Sequence, residues 1–189
     1  MNVRIEVEPI EQLEELAKIP AAFLVQRILE VSRENGGIGD FELHESAVYP
    51  PWIKDYDAIS GEGPTEWRSQ FDISDWGLIA AYDGKKRVGG AVVVPDEKLK
   101  QAILLDMRVR PESQSLGVGT ALFRAVEEWS RSRGCEILLI ETQDINVPAC
   151  RLYERNGCEL RGAERSAYPD FPDEMKLIWS KNLASGGPS

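Results

Sequence analysis

The chain has 189 residues, with 22 basic and 32 acidic side chains and a formal net charge of −10. Its length predicts one domain, over residues 1–183, that needs no disulfide or metal to fold, followed by a flexible tail at 184–189. The acidic balance argues against nucleic-acid binding, which needs a basic face. No run reaches the roughly 18 apolar residues of a membrane span, and residues 1–10 lack a signal peptide's apolar core. We therefore expect a cytoplasmic protein without membrane or nucleic-acid partners.

Cysteine and histidine are too few for the usual metal or nucleophile sites. Cys135, Cys150 and Cys158 are an odd number without a CxxC pair, which excludes a zinc ribbon and favours reduced thiols. His44 is the single histidine, so a His-rich metal site is excluded. A Ser–His–Asp triad would have to use His44, and the sequence has no GxSxG. We expect no metal.

The first third of the chain predicts one strand followed by helices and loops. Charged and apolar residues alternate over 3–7, which indicates a strand. Residues 11–18 and 20–33 are predicted to form two short helices. The segment 36–75 is rich in Gly, Pro and aromatic residues, and we expect loops with short helical pieces there.

The remainder predicts alternating strands and helices. A hairpin is predicted over 76–94, with its turn at Asp83–Lys86, and a strand follows over 102–109. Leu122, Val126 and Trp129 place an apolar stripe on a helix that ends before Gly134. A buried strand then leads to a second helix from Asn146 to Asn156. Strands near 158–162 and 175–181 complete an α/β domain with a mixed sheet and helices on each face.

A glycine-containing turn joins the strand at 102–109 to the first of these helices. Gly117 and Gly119 would let the backbone approach a ligand, and the helix-start amides favour an anion such as a pyrophosphate. A P-loop is excluded because no Lys follows the glycines. A dinucleotide fingerprint would need Gly or Ala where Leu122 stands. The alternative is a strand-to-helix loop whose glycines serve packing.

Two segments together resemble the GCN5-related N-acetyltransferase (GNAT) superfamily. Gln114-x-x-Gly117-x-Gly119 is similar to its acetyl-CoA signature, and Asn146-x-x-Ala149-x-x-x-Tyr153-x-x-x-Gly157 to a second family segment. With Glu141-Thr142-Gln143 before it, that segment is also similar to streptothricin acetyltransferases. The resemblance implies a single-domain fold with a mixed, mainly antiparallel central sheet and helices on both faces. It implies acetyl-CoA as co-substrate and the transfer of an acetyl group to a primary amine.

The resemblance also implies roles for individual residues. Tyr153 would be the general acid near the cofactor sulfur; the alternative is a packing residue on its helix. From its own place at the end of an apolar strand, Glu141 could accept an amine proton, directly or through water, or hold a cationic acceptor; the alternative is a solvated carboxylate at a strand end. Asn146 would contact the cofactor and cap its helix. The implied cofactor-binding residues are, in chain order, Met107, Val109, Gln114, Leu116, Gly117, Val118, Gly119, Thr120, Ala121 and Asn146.

Two further residues, Asp106 and Cys150, bear on the mechanism independently of the resemblance. Asp106 lies between apolar neighbours in its strand, where it could bind an ammonium group or pair with a nearby arginine. Cys150 is not expected to be a nucleophile, since no His or Lys in sequence reach would lower its pKa. This favours direct transfer in a ternary complex over a covalent acetyl-enzyme.

The charge is uneven along the chain. Residues 1–95 hold 17 acids and 9 bases (net −8), and residues 96–189 hold 15 acids and 13 bases (net −2). With the aromatic-rich stretch 41–76, the acidic half could attract and hold a cationic small-molecule amine; the alternative is an acidic surface with aromatics that cover the core. Five arginines are expected around the glycine turn: Arg108, Arg110, Arg124, Arg131 and Arg133.

Other functions stay open at this point. The acceptor could be a protein N-terminus or a lysine, and the fold could be a non-catalytic acyl-CoA-binding module. The family often forms homodimers, but no interface can be identified in the sequence.

Overall fold

The computed structural model describes residues 3–33, 40–59 and 63–184. The helices are α1 (Glu14–Ala17), α2 (Pro64–Gln70), α3 (Val118–Ser132) and α4 (Val147–Arg155). The strands are β1 (Val3–Glu8), β2 (Ala22–Arg33), β3 (Phe41–Asp55), β4 (Gly77–Asp83), β5 (Lys86–Asp96), β6 (Gln101–Val109), β7 (Ile137–Gln143), β8 (Glu159–Glu164) and β9 (Lys176–Asn182). The chain forms two compact units, one drawn from residues 1–22, 55–139 and 182–189 and the other from 23–54 and 140–181.

The first unit is an antiparallel sheet in the order β1-β4-β5-β6 with helices on both faces. Successive side chains of a strand point to opposite faces, so Gly77 and Leu78 of β4 face different helices. A Cβ on Gly77 or Gly89 would collide with α3, which shows how closely that helix packs on the sheet. On the opposite face, Leu78 and Val92 belong to a buried cluster with residues of α1 and α2.

The apolar stripe predicted on α3 is present, because Leu122 and Val126 are fully buried and Trp129 nearly so. Strand β6 contains a bulge next to its central residues. The register changes between the pairs Val92–Asp106 and Val93–Leu104, which leaves one extra residue in β6.

The second unit contains a two-stranded sheet of β2 and β3, and the strand order β7-β9-β8. Strands β8 and β9 are antiparallel, with Glu159 opposite Ser180 and Glu164 opposite Lys176. Helix α4 begins after Asn146, whose side chain accepts a hydrogen bond from the Ala149 amide at 3.3 Å. The cap predicted at Asn146 is thereby confirmed.

Most of the predicted elements after residue 76 are confirmed within a few residues, as is the mainly antiparallel α/β fold. The helix predicted over 20–33 is wrong, since residues 22–33 form β2. The loops predicted over 36–75 are wrong for residues 41–55, which form β3. Of the predicted tail at 184–189, residues 185–189 lie outside the described part. In the part of the chain that the structure describes, no helix has the length and apolar character to span a bilayer.

Candidate active site

The glycine turn has the backbone geometry of an open ligand-facing loop. Gly117 is the N-cap of α3, with φ 86° and ψ −3°, a left-handed conformation that L side chains rarely adopt. A Cβ built on Gly117 would have no described heavy atom within 4 Å beyond its chain neighbours, so the space in front of it is open. Gln114 ties the turn back to the preceding strand, because its Nε2 donates to the Val109 carbonyl at 3.2 Å.

The amides that follow Gly117 form the start of a long helix. The Ala121 amide donates to the Gly117 carbonyl at 3.0 Å, and the amides of Val118, Gly119 and Thr120 precede this first intrahelical bond. The first turn of α3 carries no acidic residue. The amides and the helix dipole therefore favour an anion here. A pyrophosphate fits this donor set, because backbone amides at a helix start can bind it without a P-loop lysine or a third glycine.

Of the five arginines expected around this turn, three are paired or placed elsewhere. Arg131 lies in the last turn of α3 and Arg133 is its C-cap, about 20 Å along the helix from its start. Arg108 is only 4% exposed and is engaged in buried ion pairs. Arg124, about two turns into α3, is exposed. Arg110 directly precedes the turn, and its Nε donates to the Arg87 carbonyl at 2.7 Å, so its charge adds to the positive potential of the helix start.

Asp106 is in the ion pair that the sequence analysis gave as an alternative. Its Oδ2 lies 2.8 Å from Nε of Arg108, and Nη1 of Arg108 lies 2.8 Å from Asp57 Oδ1. Burial raises the pKa of Asp106, and the Arg108 guanidinium opposes that rise. Binding of an acceptor ammonium by Asp106 would have to compete with Arg108, so the substrate-binding role of Asp106 stays a prediction.

Tyr153 and Cys150 lie on the buried face of α4 in the second unit. The Tyr153 ring packs at 6.4 Å from the Trp179 ring, with 57° between the planes, and the residue is 7% exposed. Cys150 is buried, and burial raises the pKa of its thiol to about 12. A thiol with this pKa is protonated at neutral pH, which removes Cys150 as a nucleophile. Cys135 and Cys158 are also reduced and buried.

Glu141 is an exposed carboxylate on β7 with one defined hydrogen-bond donor. Tyr168 Oη donates to Glu141 Oε1 at 2.9 Å, and Gln143 Nε2 donates to Tyr168 Oη at 3.1 Å. Sequence reasoning missed Tyr168, which lies 27 residues after Glu141, because no local pattern links the two.

The aromatic-rich stretch divides into core residues and exposed residues. Trp67 is buried, with Trp76 packed at 5.9 Å from its ring and Phe71 beside Trp76. Trp67 and Trp76 cover the core, as in the alternative interpretation, whereas Phe71 is 55% exposed. Tyr49 and Trp52 of β3 are exposed.

No cluster of three or more His, Cys, Asp or Glu side chains suited to a metal ion occurs among residues 3–33, 40–59 and 63–184.

The sequence and the fold are similar to those of known acetyltransferases. The model of the acetyltransferase (GNAT) family matches residues 42–158, more than half of the chain. Streptothricin acetyltransferase of Escherichia coli is 28% identical over 94% of each chain. Streptothricin acetyltransferase A of Bacillus subtilis is 32% identical over 80 residues, which cover 41% of this chain and 46% of the relative.

Solved structures agree with the sequence relatives. The crystal structure of nourseothricin acetyltransferase superposes with a TM-score of 0.77 at 25% identity, over 97% of this chain and 99% of that one. The matched region contains the glycine turn at the start of α3 and the segment from Glu141 to Gly157 on which the resemblance was based. The chain belongs to the acetyltransferase (GNAT) family.

Proposed function

We propose that the protein transfers the acetyl group of acetyl-CoA to a primary amine of a cationic small molecule, in the chemical class of streptothricin. The observation that carries the proposal is the turn at Gly117. A left-handed glycine, open space in front of it and free helix-start amides form a cradle for a pyrophosphate. The alignment with the E. coli streptothricin acetyltransferase over nearly its full length supports the acceptor class.

The cofactor residues have separate tasks in this proposal. The amides from Leu116 to Ala121 hold the pyrophosphate, and Gln114 keeps the turn closed against β6. The backbone of Met107 to Val109, which follows the β6 bulge, pairs with the pantetheine arm. Asn146 keeps its capping bond and contacts the cofactor as well. Bound in this way, acetyl-CoA supplies a thioester carbonyl as the electrophile.

The proton transfers fall to two side chains. Glu141 accepts a proton from the acceptor nitrogen as the N–C bond forms and the C–S bond breaks. Tyr153 donates its phenolic proton to the departing sulfur, and solvent restores both groups. Holding both substrates together supplies much of the rate, since effective molarity is worth up to roughly 7–11 kcal/mol. The high pKa of Cys150 supports direct transfer without an acetyl-cysteine.

A cationic acceptor suits the charge of the chain. The net charge of −10 attracts a polycation over long range, and salt screens that attraction. The exposed rings of Tyr49 and Trp52 are available for cation–π contacts with ammonium groups. The cytoplasmic location and the homodimer stay predictions.

The test is an acetylation assay with purified protein, acetyl-CoA and a panel of streptothricin-like antibiotics, polyamines and N-terminal peptides. We expect the cationic antibiotics to be the best acceptors, with a KM that rises with ionic strength. Preference for a peptide amine would replace the small-molecule proposal with protein acetylation, and the absence of transfer to every amine would contradict the enzyme assignment.

The role of Tyr153 is tested in the same assay by Tyr153→Phe. We expect kcat to fall by about 10²-fold, within the usual range for loss of a general acid. Tyr82→Phe is the matched control, because it also removes a phenolic hydroxyl and keeps the ring, at a residue that has no part in the proposal. A loss below about threefold for Tyr153→Phe would show that Tyr153 only packs α4.

A further inference from the structure

The outer face of β7 carries two polar side chains at its end. Residues alternate between faces along a strand, so Glu141 and Gln143 share one face while Thr142 points to the other. The burial pattern agrees, since Thr142 is buried and Glu141 is exposed. This places a carboxylate and an amide side by side, on the strand that leads to α4.

A third side chain bridges the two. Tyr168 lies in the connection between β8 and β9, and its hydroxyl is bonded to both Gln143 and Glu141. A phenol has one proton to donate. Because Gln143 Nε2 donates to Oη, the Tyr168 proton goes to Glu141 Oε1. The chain of bonds thus runs in one direction, from amide to phenol to carboxylate.

The segment that carries Tyr168 is itself held at several points. The Phe171 amide donates to the Tyr168 carbonyl at 3.0 Å, and Lys54 Nζ lies 3.3 Å from the centre of the Phe171 ring. The same ammonium pairs with Glu174 Oε1 at 2.6 Å, and both side chains of that pair are nearly buried. A buried pair of this kind is costly to break, so it fixes the segment against β3. The Tyr168 hydroxyl is therefore preorganised.

We infer that Tyr168 is a positioning residue for the general base. This rests on the proposed function, in which Glu141 accepts the proton of the acceptor nitrogen. With Oε1 engaged by Tyr168, the other oxygen, Oε2, has no hydrogen bond from the residues that the structure describes. Tyr168 holds the carboxylate in one rotamer with Oε2 ready to accept that proton. Tyr168 itself neither touches the reacting atoms nor exchanges a proton with them.

The test is a double-mutant cycle of Tyr168→Phe and Glu141→Gln, measured as kcat and KM for the best amine acceptor. Loss of a hydrogen bond to a charged group predicts a fall of about 10-fold or more for Tyr168→Phe, mainly in kcat. In the Glu141→Gln background, the same change should cost less than about twofold, because the group it positions can no longer accept a proton. Tyr82→Phe is the control, because it removes the same kind of bond, from the Tyr82 hydroxyl to the Glu8 carboxylate, outside the proposed site.

Three results would overturn this inference while leaving the proposed function intact. They are wild-type kinetics in Tyr168→Phe, a loss confined to KM, and losses that multiply fully in the double mutant. Absence of acetyl transfer by the wild-type protein would instead contradict both. Should Tyr168→Phe unfold, Gln143→Met removes the other end of the bond chain from the β7 side, and its loss should likewise vanish in the Glu141→Gln background.

Discussion

Gly117→Glu tests the proposed pyrophosphate cradle by adding one carboxylate at the start of α3. The structural cost is modest, because a β-carbon on Gly117 meets no described atom within 4 Å. What remains is the left-handed backbone at φ 86°, which costs a non-glycine residue roughly 1–2 kcal/mol. Small domains are stable by about 5–15 kcal/mol, so we expect the variant to fold.

The effect on binding should be larger than the effect on folding. Two like charges about 6 Å apart repel by about 3 kcal/mol at an effective dielectric constant of about 20. Each 1.4 kcal/mol is a tenfold change in affinity, so one such repulsion weakens acetyl-CoA binding by about 100-fold. The pyrophosphate carries more than one charge, which makes this a lower bound. Calorimetric titration of the purified protein with acetyl-CoA measures it directly.

Gly134→Glu is the matched control. Gly134 follows the opposite end of the same helix, also has a positive φ, of 75°, and also has open space around its Cα. The variant carries the same backbone strain and the same added charge, but away from the proposed site, so its affinity for acetyl-CoA should stay within about twofold of wild type. Equal losses in Gly117→Glu and Gly134→Glu would refute the argument, since net charge alone would then explain the effect.

Two further predictions concern Cys150 and Asp144, whose pKa values are raised by burial. Because burial raises the pKa of the Cys150 thiol to about 12, incubation with acetyl-CoA alone should leave the mass of the protein unchanged; a gain of one acetyl group on Cys150 would restore the covalent mechanism. Burial also raises the pKa of Asp144 above 3.8. The folded protein therefore holds the Asp144 proton more tightly than the unfolded chain does. This contribution to the free energy of unfolding is fully present below pH 3.8 and is lost as the pH rises through the native pKa. Urea unfolding should therefore show Asp144→Asn gaining stability relative to wild type over that rise; a constant difference would contradict it.

The sequence predicted best the elements whose boundaries depend on their own residues. Helix α3 follows from its apolar stripe and from Gly134, which ends it. Helix α4 follows from the Asn146 cap and Gly157. These signals lie within one or two turns of the feature that they determine, so no knowledge of distant contacts is needed.

Two strands of the second unit, β2 and β3, were missed for physical reasons. In β2 the fully buried residues are Val25 and Leu29, four positions apart. That spacing fits a helix with 3.6 residues per turn as well as a strand with a period of two. In β3, Pro50 and Pro51 argue against a central strand, but both strands of a two-stranded sheet are edges, where proline is tolerated.

The candidate site shows the same division between local and distant determinants. The cradle at Gly117 is built from one turn and the helix after it, so the sequence alone could indicate what it binds. The proposed acceptor side depends on pairs that lie far apart in the chain, such as Tyr168 with Glu141 and Lys54 with Glu174. The acetyl donor could therefore be predicted from local sequence at the level of the family. The proposed acceptor site, in contrast, depends on residues that only folding brings together. Substitutions in β3 and in the β8–β9 connection should accordingly change which amine is acetylated, whereas those at the turn should change the affinity for the acetyl donor.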